Sequence, residues 1–182
     1  MRVIVGVSGA SGAIYARRVI AALLENDVEV SLVFSRNGRL VWEHEVGTDP
    51  RDLAVTMYGG ADMTAPIASG SAQFDAMVVV PCSSGSLGRI AHGLSTNLIG
   101  RAADVMLKER RKLVLVLRES PYSLPVIKNM VAATEAGALV LPASPSFYSM
   151  PADMNALLDT VVARVLDQLG VSNTVSPRWK GM

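Results

Sequence analysis

Three loops in the sequence gather glycine and small hydroxylated residues directly behind an apolar run. Ser8-Gly9-Ala10-Ser11-Gly12-Ala13 follows Val3 to Val7, Ser35-Arg36-Asn37 follows Val28 to Phe34, and Pro81-Cys82-Ser83-Ser84-Gly85-Ser86 follows Ala76 to Val80. Glycine lets a backbone turn tightly and approach a phosphate, and the free N–H groups of a helix start, with the helix dipole, favour an anion. Ser11 adds a hydroxyl donor, and Ser35 is placed either to touch a ribityl or ribose hydroxyl or to cap the next helix. The first loop is neither a Walker loop nor a complete G-x-G-x-x-G, so a tight strand-to-helix turn with a serine cap is its other reading.

Charge is concentrated around the fourth apolar run. Arg101, Lys108, Arg110, Arg111, Lys112 and Arg118 stand against Asp104 and Glu109. Part of such a run is solvated face. Arg118-Glu119 differs, because it comes directly after the apolar run Leu113 to Leu117, where an arginine suits phosphate and a neighbouring carboxylate can orient it or carry protons. Ser146-Phe147-Tyr148 follows the last apolar run, and Arg164 lies on the closing helical stretch. Cys82 reads as a buried free thiol rather than a nucleophile, since neither His44 nor His92 is beside it in sequence. Both histidines lack a ligand-spaced partner.

The elements that must position these groups alternate. Val3 to Val7, Val28 to Phe34, Ala76 to Val80, Leu113 to Leu117 and Ala138 to Leu141 are short and rich in valine, isoleucine and leucine, the pattern of strands buried on both faces of a parallel sheet. Ala13 to Glu25, Leu98 to Arg111 and Asp153 to Leu169 carry apolar residues at helical spacing. Strand and helix in alternation predict an α/β fold, a single doubly wound, Rossmann-like (flavodoxin-like) domain with a mainly parallel sheet. In such sheets ligands sit beyond the carboxyl ends of the strands, where every loop named above falls. The tail from Gly170 to Met182 loses periodicity and reads as a C-terminal arm, on the surface or across a neighbour.

Composition narrows the functions. The 182 residues are 50% apolar, and 17 basic against 16 acidic side chains give a formal charge of +1. That excludes disorder and binding to nucleic acid through overall charge. Two histidines and one cysteine are too few for a zinc cage. No apolar run approaches the roughly 20 residues of a membrane span. The apolar stretch after Arg2 is too short for a signal peptide, which predicts a cytoplasmic protein. A small domain this apolar is expected to hide surface in an oligomer.

Taken in order, Gly6-Val7-Ser8-Gly9-Ala10-Ser11-Gly12-Ala13, Arg101-Ala102-Ala103-Asp104-Val105 running into Leu107-Lys108-Glu109-Arg110-Arg111, Arg118-Glu119-Ser120-Pro121 and Phe147-Tyr148 resemble one family. This is the flavin prenyltransferases of UbiX and Pad type, related to the B subunits of phenolic-acid decarboxylases. The resemblance runs from Arg2 to about Trp179. It implies transfer of a dimethylallyl group from dimethylallyl phosphate to reduced FMN, at N5 with ring closure at C6. It further implies no metal, a dodecamer with active sites between subunits, and delivery of prenylated FMN to a UbiD-type decarboxylase.

Carried onto this sequence, the resemblance implies flavin contacts from Gly9, Ala10, Ser11, Ser35, Ser83, Ser84, Ser86 and Arg101. Lys108, Arg118, Tyr148 and Arg164 are implied for the prenyl phosphate, with Glu45, Lys108, Glu119 and Tyr148 as the catalytic set. Met63 stands in a stretch where some relatives have an aromatic residue. Two other readings are a flavin-dependent cysteine decarboxylase and a non-catalytic flavin carrier subunit. The first needs a Pro-x-Met-Asn loop where Arg118-Glu119-Ser120-Pro121 stands. The second needs no second phosphate pocket.

Overall fold

Strand β1 (Arg2–Val7) shows how the sheet forms: Val3, Val5 and Val7 enter one apolar cluster, while Ile4 enters another. Alternate side chains of a strand point to opposite faces, so a run apolar throughout must be covered on both sides. The computed structural model describes residues 1–181. Beside β1 lie β2 (Glu29–Phe34) and, beyond it, β3 (Thr56–Tyr58); on the other side lie β4 (Ala76–Cys82), β5 (Lys112–Leu117) and β6 (Leu139–Pro142). The six strands pair in the order β3-β2-β1-β4-β5-β6, and every pairing is parallel. Without the three-residue edge strand β3, which is too short to be read from the sequence, this is the flavodoxin-like order.

Helices α1 (Ala13–Glu25), α2 (Arg36–Glu45) and α6 (Met154–Leu169) cover one face. Helices α3 (Ser84–Ala91), α4 (Leu98–Lys108) and α5 (Leu124–Glu135) cover the other. All seven residues of β4, at the centre, are buried. Gly6 in β1 leaves room for α4, since a Cβ there would lie 3.3 Å from Ile99. The helical stretch expected over Leu98 to Arg111 ends earlier, at Lys108, because Arg110 turns the chain through φ 54° into β5. Helix α5 had no clear sequence signal: Val126 and Ala133 are buried, whereas Leu124, Ile127 and Val131 leave an exposed apolar stripe.

The tail after α6 folds back on its own helix. Val171 and Ser176 are buried, and the Arg178 guanidinium makes a two-pronged contact with Asp167 at 2.6 and 2.7 Å. No helix among the described residues is long and apolar enough to cross a membrane. Among them, too, no three histidine, cysteine or acidic side chains group as metal ligands would.

Candidate active site at the carboxyl edge of the sheet

The chain leaves β1 toward β2 on one side and the sheet continues to β4 on the other, so the crevice at a topological switch point opens between the loops after β1 and β4. Ser8, fully buried, ties these loops together. Its hydroxyl donates to the Pro81 carbonyl at 2.8 Å and accepts from the Ser83 N–H at 2.7 Å. Ser83 caps α3, accepting from Ser86 N–H at 3.2 Å and donating to the Ser86 hydroxyl at 3.1 Å. Ser35 caps α2 in the same manner, with the Gly38 N–H 3.0 Å from its oxygen. The capping alternative therefore holds for Ser35, and the cap fixes where its hydroxyl stands beside the crevice.

The glycines have separate reasons. A Cβ on Gly9 would lie 2.4 Å from that of Asn37, so Gly9 admits the start of α2. Gly12 adopts φ 110° at the N-cap of α1, a left-handed conformation that favours glycine. The helix start it exposes does hold an anion, and the anion is protein. Glu45, the last residue of α2, accepts from Gly12 N–H and Ala13 N–H, both at 2.8 Å. Burial works against ionisation of Glu45. The Ser11 hydroxyl, the two N–H groups and the Arg118 charge outweigh it and hold the carboxyl below its usual range. The N–H groups of Gly12 and Ala13 and the Ser11 hydroxyl thus serve Glu45.

Two cavities flank this centre. One, about 510 Å³, lies beside Ser35 and is lined by Phe34, Met57, Tyr58, Gly60 and Asn97 among others. The second, about 390 Å³, lies beyond β5 and β6 and includes Arg118, Glu119, Ser120, Tyr122 and Ser144. Arg118 also acts on Tyr15: burial raises the phenol's pKa, and the arginine partly opposes that. Apolar and aromatic walls beside hydroxylated loops fit a flavin mononucleotide, and the arginine-bearing cavity fits a second, anionic ligand.

Other expected residues lie elsewhere. Arg101, in the first turns of α4, is held by the Ala68 carbonyl at 3.0 Å and by Asp104 at 2.9 Å. Lys108, seven residues on, ends α4 at the amino edge of the sheet and pairs with Glu109. Arg101 and Lys108 are two turns apart on one partly exposed side of α4. Tyr148 and Arg164 lie by the tail: the Tyr148 ring packs edge-on to Trp179 at 5.4 Å, and Arg164 pairs with Asp167 at 2.8 Å. One chain therefore brings together Gly9, Ala10, Ser11, Ser35, Glu45, Ser83, Ser84, Ser86, Arg118 and Glu119. No hydrogen bond or ion pair among the described residues links Arg101, Lys108, Tyr148 or Arg164 to them.

Cys82 is fully buried beneath this edge, where desolvation pushes its thiol up to about 12. Three contributors escaped the sequence reading. Ser8 appeared only as part of a glycine-rich loop, and nothing local signals that its hydroxyl spans two loops. Arg178 and Trp179 lay in a tail without periodicity, although an arginine and a tryptophan together in an otherwise plain tail are a signal.

The Flavoprotein family model matches residues 1–166. A flavin prenyltransferase UbiX of Deinococcus radiodurans is 47% identical over 182 residues, covering 98% of this chain and 93% of that one. Among solved structures, AnUbiX (PadA1) in complex with FMN and dimethylallyl pyrophosphate superposes with a TM-score of 0.97 at 41% identity, covering 100% of this chain and 98% of that one. A dodecameric FMN-dependent Ubix-like decarboxylase from Escherichia coli O157:H7 superposes at 0.95 with 43% identity, each chain covered in full. Likeness of this extent in sequence and fold means that the chain belongs to the flavin prenyltransferase family.

Proposed function

We propose that the protein moves a dimethylallyl group from dimethylallyl phosphate to reduced FMN, at N5 and then C6. The observation that carries this is the pair of cavities on one sheet edge, with Arg118 and Glu119 in the second. A flavin carrier has no need of a second anion pocket, and a cysteine decarboxylase needs a Pro-x-Met-Asn loop where Arg118-Glu119-Ser120-Pro121 stands. Both alternatives also lack support from relatives that are named flavin prenyltransferases.

Reduced FMN supplies the nucleophilic ring positions; the protein's part is binding, orientation and charge. Gly9, Ala10, Ser11, Ser35, Ser83, Ser84, Ser86 and Arg101 hold the flavin. Lys108, Arg118, Tyr148 and Arg164 hold the donor's phosphate. As the allylic C–O bond breaks, its electron pair stays with the phosphate, and the three cations and the phenol stabilise the growing negative charge. Glu119 orients the cationic cluster. Glu45, kept ionised beside Arg118, or the released phosphate would take up the proton displaced from the flavin as the new bond to the allylic carbon forms.

Lys108, at the far end of β5, can join the edge residues only if a neighbouring subunit supplies it, and the same arrangement would bring in Arg101, Tyr148 and Arg164. We therefore take the working form to be an oligomer, a dodecamer as in the dodecameric relative, with sites between subunits. The exposed stripe Leu124, Ile127 and Val131 on α5 supports assembly. We further propose that residues 1–182 act as a single flavin-binding domain with 170–182 as its C-terminal arm. The protein works in the cytoplasm and hands prenylated FMN to a UbiD-type decarboxylase. The direct test is anaerobic incubation with reduced FMN and dimethylallyl phosphate, followed by mass spectrometry of the released flavin. A flavin heavier by one dimethylallyl unit is expected, and unmodified FMN after complete incubation contradicts the proposal.

A further inference from the structure

Tyr148 follows β6 and Arg164 sits within α6, and the two make no hydrogen bond with each other. What connects them is three consecutive residues of the tail. The Pro177 carbonyl accepts a long hydrogen bond from the Tyr148 hydroxyl at 3.4 Å. Trp179 packs edge-on to the Tyr148 ring, with centroids 5.4 Å apart. Between these two residues, Arg178 grips both oxygens of Asp167, the carboxylate that also pairs with Arg164. Asn173 adds a hydrogen bond to Asp167 at 3.1 Å, and Arg178 reaches the Asn173 carbonyl at 3.2 Å, closing a ring of contacts.

We propose that Asp167 and Arg178 form a clasp that seats the tail on α6 and thereby positions Tyr148 and Arg164 for the donor's phosphate. Two guanidinium groups share one carboxylate, so the cluster keeps one net positive charge beside the phenol. Asp167 is the less exposed partner, its side chain 20% accessible against 47% for Arg178 and 62% for Arg164. It serves as a fixed post to which the more exposed Arg164 is tethered. A bidentate arginine–carboxylate contact constrains both distance and plane, which a single-point lysine contact does not. The Asp167 carboxyl is held below its usual range, first by Arg178 and against the effect of burial, in keeping with a lasting ion pair.

The inference rests on the reading that Tyr148 and Arg164 serve the prenyl donor, so the experiment tests both levels. In the full-length oligomer, flavin affinity, donor KM and kcat are measured for Arg178→Ala, Arg178→Lys, Asp167→Asn, Tyr148→Phe and Arg164→Ala. The clasp predicts that Arg178→Ala and Asp167→Asn bind flavin as the wild type does and raise donor KM by roughly tenfold, with a smaller change in kcat. Arg178→Lys keeps the charge but stays impaired. Wild-type donor kinetics in Arg178→Ala and Asp167→Asn, with Tyr148→Phe and Arg164→Ala impaired, would overturn the clasp alone. So would full recovery in Arg178→Lys. Wild-type kinetics in both Tyr148→Phe and Arg164→Ala would overturn the reading beneath it.

Discussion

Lys108 and Arg118 stand at opposite ends of β5, with the six residues of the strand between them. At about 3.3 Å per residue the strand spans roughly 20 Å, too far for both side chains to meet one phosphate in a single subunit. Lys108 pairs with Glu109 on the outer side of α4, and Arg118 faces Glu45 at the carboxyl edge. A site that needs both must be completed by a second copy.

Lys108→Ala is expected to keep flavin binding nearly intact and to lower prenyl transfer by a factor on the order of 10² or more, because a charge aimed at the leaving phosphate is lost. Flavin affinity and single-turnover prenylation measured on one preparation check this. Wild-type turnover would assign Lys108 to the solvated surface beside Glu109.

Ser8→Ala should destabilise the fold and loosen the crevice. It strands the Ser83 N–H next to a fully buried position, a loss on the order of 1–3 kcal/mol. Denaturant melts of the flavin-free protein read the stability, and flavin titration reads the crevice. Unchanged values in both would remove Ser8 from the site's framework.

Much of this was legible beforehand, for physical reasons that differ by residue. The strands around Val5, Val78 and Leu115 declare themselves because both faces of a parallel sheet are covered, so their apolar runs are uninterrupted. The loops after β1 and β4 follow from glycine and serine at the ends of those runs. Helix α5 did not show, because Leu124, Ile127 and Val131 face outward and blur the apolar stripe. The seat of Glu45 on the first turn of α1 was equally hidden, since it joins residues 33 positions apart. Gly9 was readable as a tight spot, but the neighbour that demands it, Asn37, is a tertiary fact.

Glu45 gives the stability a pH signature. Its carboxyl titrates lower in the folded protein than its ordinary value of 4.5, so its contribution is present above that value and is lost as pH falls through the folded one. Glu45→Gln should therefore be less stable at neutral pH and show a shallower loss on acidification than the wild type. Thermal melts from neutral to acid pH measure both, and parallel curves would contradict the assignment.

Cys82 should resist alkylation in the native protein at neutral pH, since it is fully buried and its thiol is pushed up to about 12. Mass spectrometry after iodoacetamide treatment, native and denatured, makes the comparison. Rapid native modification would show that the thiol is reachable and reopen a nucleophilic role.

The central claim, a prenyl-transfer site assembled from different subunits, is tested most directly by mixing two inactive variants. Lys108→Ala and Arg118→Ala subunits, denatured and refolded together in equal amounts, form mixed oligomers. With the two residues supplied by different chains, about a quarter of the sites regain both, and prenyl transfer should recover to about that share of wild type. Activity no higher than that of either variant refolded alone, with mixed oligomers confirmed by mass, would place both residues in one subunit's site and contradict the account.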